Sequence, residues 1–218
     1  TYWQRGWAYW RRRVFGMPNL VVSPTEWLLR AHERRGFSFL HTRVVVNPAP
    51  HSLNKVSIDR NQSPWIYVGR LSTEKGADML HALAKALPKE SFLCVGDGPW
   101  RSVLEQRENI RCVGTYTRAD VQAALHSSKG LLAPSRLQEN QPTIILEAFA
   151  EEIPVIASDR GGIPETVADA GIVIPLELSR WIDAMREMSA TLSHWSSRAQ
   201  KRAEGFNREK VGSLWSEL

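Results

Sequence analysis

The sequence predicts an α/β fold in which a Rossmann-like parallel sheet is covered by helices on both faces. From residue 65 onward, short apolar runs recur, as expected for strands buried on both faces. Segments with helix start and stop signals separate these runs, which is the pattern of a parallel sheet with helical crossovers. The composition is that of a globular chain, with 43% hydrophobic and 23% charged residues. Its 218 residues suffice for one domain or two small ones.

The chain begins with a segment that predicts a basic, tryptophan-rich helix over residues 1–16. Its apolar positions recur at helical spacing and form one stripe: Trp3, Trp7, Trp10 and Val14. Two interpretations stay open for this helix. It packs against another part of the protein, or it attaches to an anionic membrane surface, for which tryptophan and arginine are suited.

A strand, a helix and a second strand follow. Residues 20–22 form an apolar run that leads into Ser23-Pro24-Thr25-Glu26, which matches a capping box with Pro24 at the first helical position. This helix should end near Gly36. Residues 43–46 then predict a strand.

The remaining elements alternate. Strands are predicted at 65–68, 92–95, 110–113, 130–134, 154–158 and 171–174. One helix is expected over 76–87, stopped by Pro88, and another over 118–127, opened by a capping-box pattern at Thr117. Pro142 is expected at the first position of a further helix. Residues 176–218 are predicted to be helical, with a break near residues 205–207.

Charge and cysteine content exclude several functional classes. Residues 1–60 contain ten of the lysines and arginines but only three acids, so the net charge of +5 belongs to the front of the chain. These basic residues are not interleaved with a nucleic-acid-reading motif. No apolar run approaches the roughly 20 residues of a membrane span, and no signal peptide is recognisable. Cys94 and Cys112 are expected to be reduced thiols in buried strands of a cytoplasmic protein.

The first candidate binding feature is the turn that follows the predicted strand 65–68. A strand, a turn with glycines at Gly69 and Gly76, and then a helix is an arrangement that handles phosphates in α/β proteins. Arg70 and Lys75 lie on this turn, where two cations can meet a diphosphate. The turn is not a P-loop, because the Gly-Lys-Ser/Thr ending is missing.

The second feature is a pair of glutamates, Glu139 and Glu147, separated by seven residues. A helix N-terminus is predicted between them, and its free N–H groups, those of Thr143 and Ile144, can bind a phosphate. Carboxylates accept hydrogen bonds from sugar hydroxyls. The arrangement therefore favours a ligand that is both anionic and rich in hydroxyl groups.

Taken together, these segments resemble the retaining glycosyltransferases of family 4, which have the GT-B fold. The matches run in the order of the family over about half of the chain. They comprise Gly69-Arg70-Leu71, Lys75-Gly76, residues 95–99, residues 110–114, residues 133–135, Glu139-x7-Glu147-Ala148, residues 153–158 and residues 161–165.

The resemblance implies a role for each candidate residue. Arg70 and Lys75 would bind the donor diphosphate and stabilise the charge of the leaving group. Glu147 would accept hydrogen bonds from the ribose. Glu139 would orient the transferred sugar and support its transition state. Tyr116 lies where the family contacts the base, and either stacks on the base or packs locally.

The resemblance also implies the ligands. The chain has no Asp-x-Asp motif, so no metal and no cofactor are expected, and the donor would be a UDP-sugar or, as second choice, a GDP-sugar. The chain departs from the family's common Glu-Gly-Phe-Gly pattern, because Asn140, Gln141 and Pro142 replace the Gly-Phe-Gly part. The donor sugar is therefore not predicted.

In GT-B enzymes the acceptor binds mainly to an N-terminal domain, and this implies how the chain divides. Residues 1–52 would be the tryptophan-rich helix and a remnant of the acceptor domain, 53–205 the donor-binding domain, and 206–218 a helix that crosses back. The acceptor would be a glycan or a lipid-linked saccharide in bacterial surface polysaccharide or glycolipid assembly, at the inner membrane face. The isolated chain should then show little transfer. The alternative is a non-catalytic nucleotide-sugar-binding or regulatory subunit.

Overall fold

The computed structural model of the protein describes residues 19–51 and 59–218. The predicted tryptophan-rich helix over residues 1–16 lies outside the described residues. The strands are β1 Val21–Ser23, β2 Thr42–Val44, β3 Trp65–Val68, β4 Phe92–Val95, β5 Ile110–Cys112, β6 Gly130–Ala133, β7 Val155–Ser158 and β8 Gly171–Ile174. The helices are α1 Glu26–Glu33, α2 Ala77–Ala86, α3 Arg101–Leu104, α4 Arg118–His126, α5 Thr143–Ala150, α6 Ile163–Val167, α7 Leu178–Ala190, α8 Leu192–Ala203 and α9 Arg208–Ser216.

Six strands form one parallel sheet in the order β5-β4-β3-β6-β7-β8. The chain moves outward from β3 to β5 and then returns to place β6 on the other side of β3. The strand order therefore reverses between β3 and β6. In open α/β sheets, ligands bind at the carboxyl ends of the strands where this reversal occurs.

Helices cover both faces of this sheet, which confirms the predicted α/β fold. On one face, α5 and α8 pack over apolar strand residues, with Phe149 and Ala199 fully buried. On the other face, α2 and α7 pack together over the sheet, with Leu80 and Trp181 fully buried. The strands are apolar on both faces because both faces are covered.

Two helices begin at other residues than predicted. The N-cap of α1 is Thr25, whose hydroxyl accepts a hydrogen bond from the N–H of Leu28 at 3.3 Å. Ser23 is not the cap, because it belongs to β1 and its hydroxyl donates to the carbonyl of Thr25.

Pro142 is the N-cap of α5 rather than its first helical residue, since its ψ of 119° is extended. The capping box of Thr117 and Asp120 at α4 is confirmed.

The C-terminal region is helical, with the expected interruption. A 3₁₀ turn at Glu204–Phe206 separates α8 from α9. The ring of Phe206 stacks on that of Phe149, with 6.4 Å between the ring centroids.

Within the described part of the chain, no helix is long and apolar enough to cross a membrane. Cys94 is buried and Cys112 is partly exposed, contrary to the expected burial of both, and both are free thiols.

Residues 19–51 form a small unit that contacts the main body through apolar packing and through polar groups. Its β1 and β2 pair in parallel, and the carboxylate of Glu165 in α6 accepts hydrogen bonds from the N–H groups of Glu26 and Trp27 at 2.8 and 3.0 Å. A carboxylate at a helix N-terminus satisfies free N–H groups and complements the helix dipole. Glu165 thus joins α1 to α6.

Replacing Glu165 with alanine should lower the free energy of unfolding by about 1 kcal/mol, because two N–H groups of α1 lose their acceptor. Chemical denaturation monitored by circular dichroism measures this loss. Glu187→Ala, on the exposed face of α7, is the matched control and should have little effect. Equal stability of the two variants would show that the contact does not hold the two units together.

Candidate functional site

The site lies in the crevice where the strand order reverses. The turn over residues 69–76 follows β3, and the loop over residues 134–142 follows β6. The two connections touch at Gly76, where φ is +84° and a Cβ atom would stand 2.0 Å from the carbonyl oxygen of Pro134. Only glycine permits this approach.

Lys75 and Glu139 meet in this crevice although they are far apart in sequence. Lys75 Nζ lies 2.5 Å from Glu139 Oε1, and the hydroxyl of Ser135 donates to the same oxygen at 2.9 Å. Both charged side chains are largely covered, with exposed fractions of 31% and 20%. Two of the residues predicted for the site are therefore in contact. The hydrogen bond from Ser135 was not predicted. The sequence feature that indicates Ser135 is its place two residues after the end of β6.

Tyr67 holds the turn over residues 69–76 through hydrogen bonds to its backbone. Its hydroxyl donates to the carbonyl oxygen of Arg70 at 2.7 Å and lies 3.3 Å from that of Lys75. Burial, together with the nearby Cys94, raises the pKa of Tyr67 well above its usual value. The phenol therefore remains a neutral donor and fixes the backbone of the two cationic residues.

Arg70 has a more exposed position than Lys75. Its guanidinium pairs with the carboxylate of Glu74 one turn later, and both side chains are open to solvent. A cavity of about 60 Å³ occupies the crevice and is lined by residues that include Tyr67, Lys75, Ser135, Glu139, Pro142 and Ile144. This cavity contains Lys75, Glu139 and Ile144 from the predicted set but not Arg70.

The N-terminus of α5 faces this cavity. Because Pro142 is the N-cap, Thr143 and Ile144 are the first helical residues, and their N–H groups have no acceptor within the helix. The positive end of the helix dipole adds to the charge of Lys75. A helix N-terminus next to a lysine can bind a phosphate group.

Glu147 lies further along α5 and is partly buried. Burial raises its pKa, and the nearby Arg118 and a hydrogen bond with Thr143 partly oppose this rise. Arg118 begins α4, two residues after Tyr116, whose exposed fraction is 36%. The structure thus places Glu147 near the connection between β5 and α4, apart from the cavity around Lys75.

The loop that carries Glu139 is held from two sides. Asn140 Oδ1 accepts a hydrogen bond from the hydroxyl of Thr25 at 2.5 Å, and Gln141 Oε1 accepts one from the N–H of Asn47 at 2.7 Å. The N–H of Gly162 donates to the carbonyl oxygen of Glu139 at 2.7 Å. The residues that depart from the family pattern therefore anchor the loop to the unit formed by residues 19–51.

The pKa of Glu147 leads to a prediction about pH. A carboxyl with a raised pKa contributes stability that is complete below its unfolded pKa, about 4.3, and is lost as the pH rises through the folded pKa. Glu147→Gln removes this loss. The melting temperature of the variant should therefore increase relative to that of the unaltered chain as the pH rises from about 4 through the folded pKa.

Calorimetric scans across this pH range measure the difference. Glu33→Gln, on the exposed surface of α1, serves as the matched control and should show no comparable trend. A difference for Glu147→Gln that stays constant or falls with pH would contradict the burial of this carboxylate.

Comparison with known proteins identifies the family. The family model described as glycosyl transferases group 1 matches residues 63–191, which is more than half of the chain. TuaC of Bacillus subtilis (strain 168), assigned to teichuronic acid biosynthesis as a glycosyltransferase, is 36% identical over 112 residues, or 50% of this chain and 28% of that protein. The amylovoran biosynthesis glycosyltransferase AmsD of Erwinia amylovora is 24% identical over 94% of this chain and 63% of its own length.

A solved structure confirms the architecture. The pneumococcal O-GlcNAc transferase GtfA, in complex with UDP and GlcNAc, superposes with a TM-score of 0.78 at 19% identity. The superposition covers 97% of this chain and 47% of that one. The chain thus spans less than two thirds of each of these relatives. Its sheet and helices match those of GT-B glycosyltransferases, and its sequence belongs to the group 1 glycosyl transferases.

Proposed function

We propose that this chain is the donor-binding half of a retaining, family 4 glycosyltransferase that uses a nucleotide-diphosphate sugar. The observation that carries the proposal is the contact between Lys75 and Glu139 in a crevice that the N-terminus of α5 faces. A cation and free N–H groups bind the diphosphate, while the carboxylate is placed to orient the hydroxyls of the sugar. The UDP in the GtfA structure supports UDP as the first donor nucleotide to test.

In the proposed reaction, the bond between the anomeric carbon and the diphosphate oxygen breaks, and a bond to the acceptor oxygen forms on the same face. The proton of the acceptor hydroxyl moves to the departing phosphate oxygen. Lys75, Arg70 and the N–H groups of Thr143 and Ile144 stabilise the negative charge of the leaving group. Glu139 supports the positive charge on the sugar, and Glu147 accepts hydrogen bonds from the ribose. Tyr116 lies toward the base and Gly69 shapes the turn.

This charge distribution supports a mechanism without a metal ion or cofactor. The cationic side chain and the helix N–H groups occupy the place where a divalent ion would otherwise meet the diphosphate.

The proposed domain division follows from the same assignment. Residues 53–205 would bind the donor, residues 1–52 would belong to the acceptor side, and residues 206–218 would cross back to it. The acceptor is proposed to be a saccharide or a lipid-linked glycan of bacterial polysaccharide assembly, bound mainly by the N-terminal domain of the enzyme, at the inner face of the membrane. The match to TuaC and AmsD supports this acceptor class.

Isothermal titration calorimetry with UDP, GDP and ADP tests the proposal. We expect one of these nucleotides, UDP first, to bind, and Glu147→Ala to weaken that binding because the ribose loses an acceptor. Incubation with UDP-glucose and a simple saccharide acceptor should yield little transfer product. Failure of all three nucleotides to bind would overturn the donor-binding assignment, and rapid transfer would overturn the assignment of the acceptor site to another domain.

A further inference from the structure

Arg136 follows Ser135 in the loop after β6, but its polar contacts reach the turn after β3. Its backbone N–H donates to the carbonyl oxygen of Glu74 at 2.8 Å. Its guanidinium donates to the carbonyl oxygen of Thr73 at 3.2 Å and to the carboxylate of Asp78. One residue thus binds both the 3₁₀ turn Thr73–Lys75 and the first turn of α2.

These contacts lie where the sheet gives the least support. The pairing of β3 with β6 comprises Trp65 with Gly130 and Ile66 with Leu131, so the two strands separate beyond these pairs. The crevice opens there, and Lys75 and Glu139 lie on its opposite walls. Beyond the strand pairing, the two walls are joined by the ion pair of Lys75 with Glu139, the approach of Gly76 to Pro134 and the contacts of Arg136.

Arg136 supplies the cation that pairs with the carboxylate of Asp78. One of its oxygens accepts from the guanidinium, while Oδ1 is buried and has no hydrogen-bond partner in the described part of the chain. The Asp78 side chain is 27% exposed, so its carboxylate is partly buried, and the loss of its cation should lower stability. The planar guanidinium can serve a carbonyl and a carboxylate together, whereas a lysine has a single nitrogen for both.

We propose that Arg136 is a positioning residue that clamps the wall carrying Lys75 to the wall carrying Glu139, and so holds the Lys75 ammonium at the diphosphate. The inference rests on the proposed donor binding. Arg136 lies outside the cavity around Lys75, so it acts through the Lys75 turn rather than by contact with the reacting atoms. Loss of the clamp should therefore weaken the binding of the second phosphate of the nucleotide.

The test compares the affinities for UDP and UMP of four variants with those of the unaltered chain, together with the melting temperature of each. Arg136→Met removes the side-chain contacts of the clamp but keeps the backbone bond to Glu74, and Arg136→Lys retains the charge. The double variant Asp78→Asn/Arg136→Met removes the unpaired carboxylate as well. Arg111→Met, an exposed arginine on the edge strand β5, is the matched control.

We expect Arg136→Met to reduce the UDP affinity by about 10-fold while the UMP affinity changes much less, since small misplacement of a binding group has large effects. Arg136→Lys should recover part of the loss. The double variant should regain melting temperature but not UDP affinity. UDP affinity that is unchanged in Arg136→Met, or that returns with stability in the double variant, would overturn the clamp. An unaltered chain that binds no nucleotide would instead overturn the proposed function.

Discussion

Replacing Lys75 with alanine should weaken UDP binding to this chain by about 100-fold, the largest loss expected for a single side chain here. A hydrogen bond to a charged group contributes about 1.5–3 kcal/mol, and Lys75 would bind the diphosphate in a partly covered crevice. The variant also leaves the carboxylate of Glu139 without its cation, and this carboxylate would repel the phosphates. Titration calorimetry at one ionic strength measures the change.

Two further variants separate these contributions. Lys75→Ala/Glu139→Gln removes the repulsion as well as the cation, so its UDP affinity should lie between those of Lys75→Ala and the unaltered chain. Lys85→Ala, on the exposed side of the last turn of α2, is the matched control and should bind UDP normally. If Lys75→Ala bound UDP as tightly as Lys85→Ala, the diphosphate would have to lie elsewhere.

Gly161→Ala should lower the free energy of unfolding by about 2–4 kcal/mol, because it combines a strained backbone with a clash. Gly161 has φ of +62°, and an added Cβ would stand 2.1 Å from the carbonyl oxygen of Glu139. That oxygen also accepts the N–H of Gly162, so relief of the clash must displace the loop that carries Glu139. UDP affinity should fall together with stability.

Gly212→Ala is expected to have the opposite effect on stability. Gly212 lies within α9, and nothing stands within 4 Å of an added Cβ, so alanine should stabilise the helix slightly. Denaturant unfolding of both variants gives the comparison. Equal stability of Gly161→Ala and the unaltered chain would show that the connection between Gly161 and Glu139 is looser than the structure indicates.

The main sheet was largely predictable from sequence because its strands are short, apolar and separated by helical segments. The predicted strands 65–68, 92–95 and 171–174 match β3, β4 and β8, and each of the other three differs from its prediction by one residue at one end. Helix starts were less predictable. Ser23 and Thr25 are both suitable caps, and only the pairing of Ser23 in β1 decides between them.

The contacts within the site could not be predicted, because they join residues that are distant in sequence. The resemblance selected Lys75 and Glu139 separately, but their ion pair depends on the strand order that places β6 beside β3. Arg136 carried no signal in the sequence, since its role depends on carbonyl groups of another loop. Asn140 and Gln141 stood out only as departures from a pattern, and the structure shows them as anchors.

A crystal structure of this chain with UDP bound would locate the donor nucleotide directly. We expect the diphosphate to lie in the crevice between the turn over 69–76 and the loop over 134–142, with Lys75 Nζ and the N–H groups of Thr143 and Ile144 as donors, and the ribose to lie toward Glu147. A nucleotide bound outside this crevice, or one whose phosphates do not contact Lys75, would contradict the claim that this crevice is the donor site.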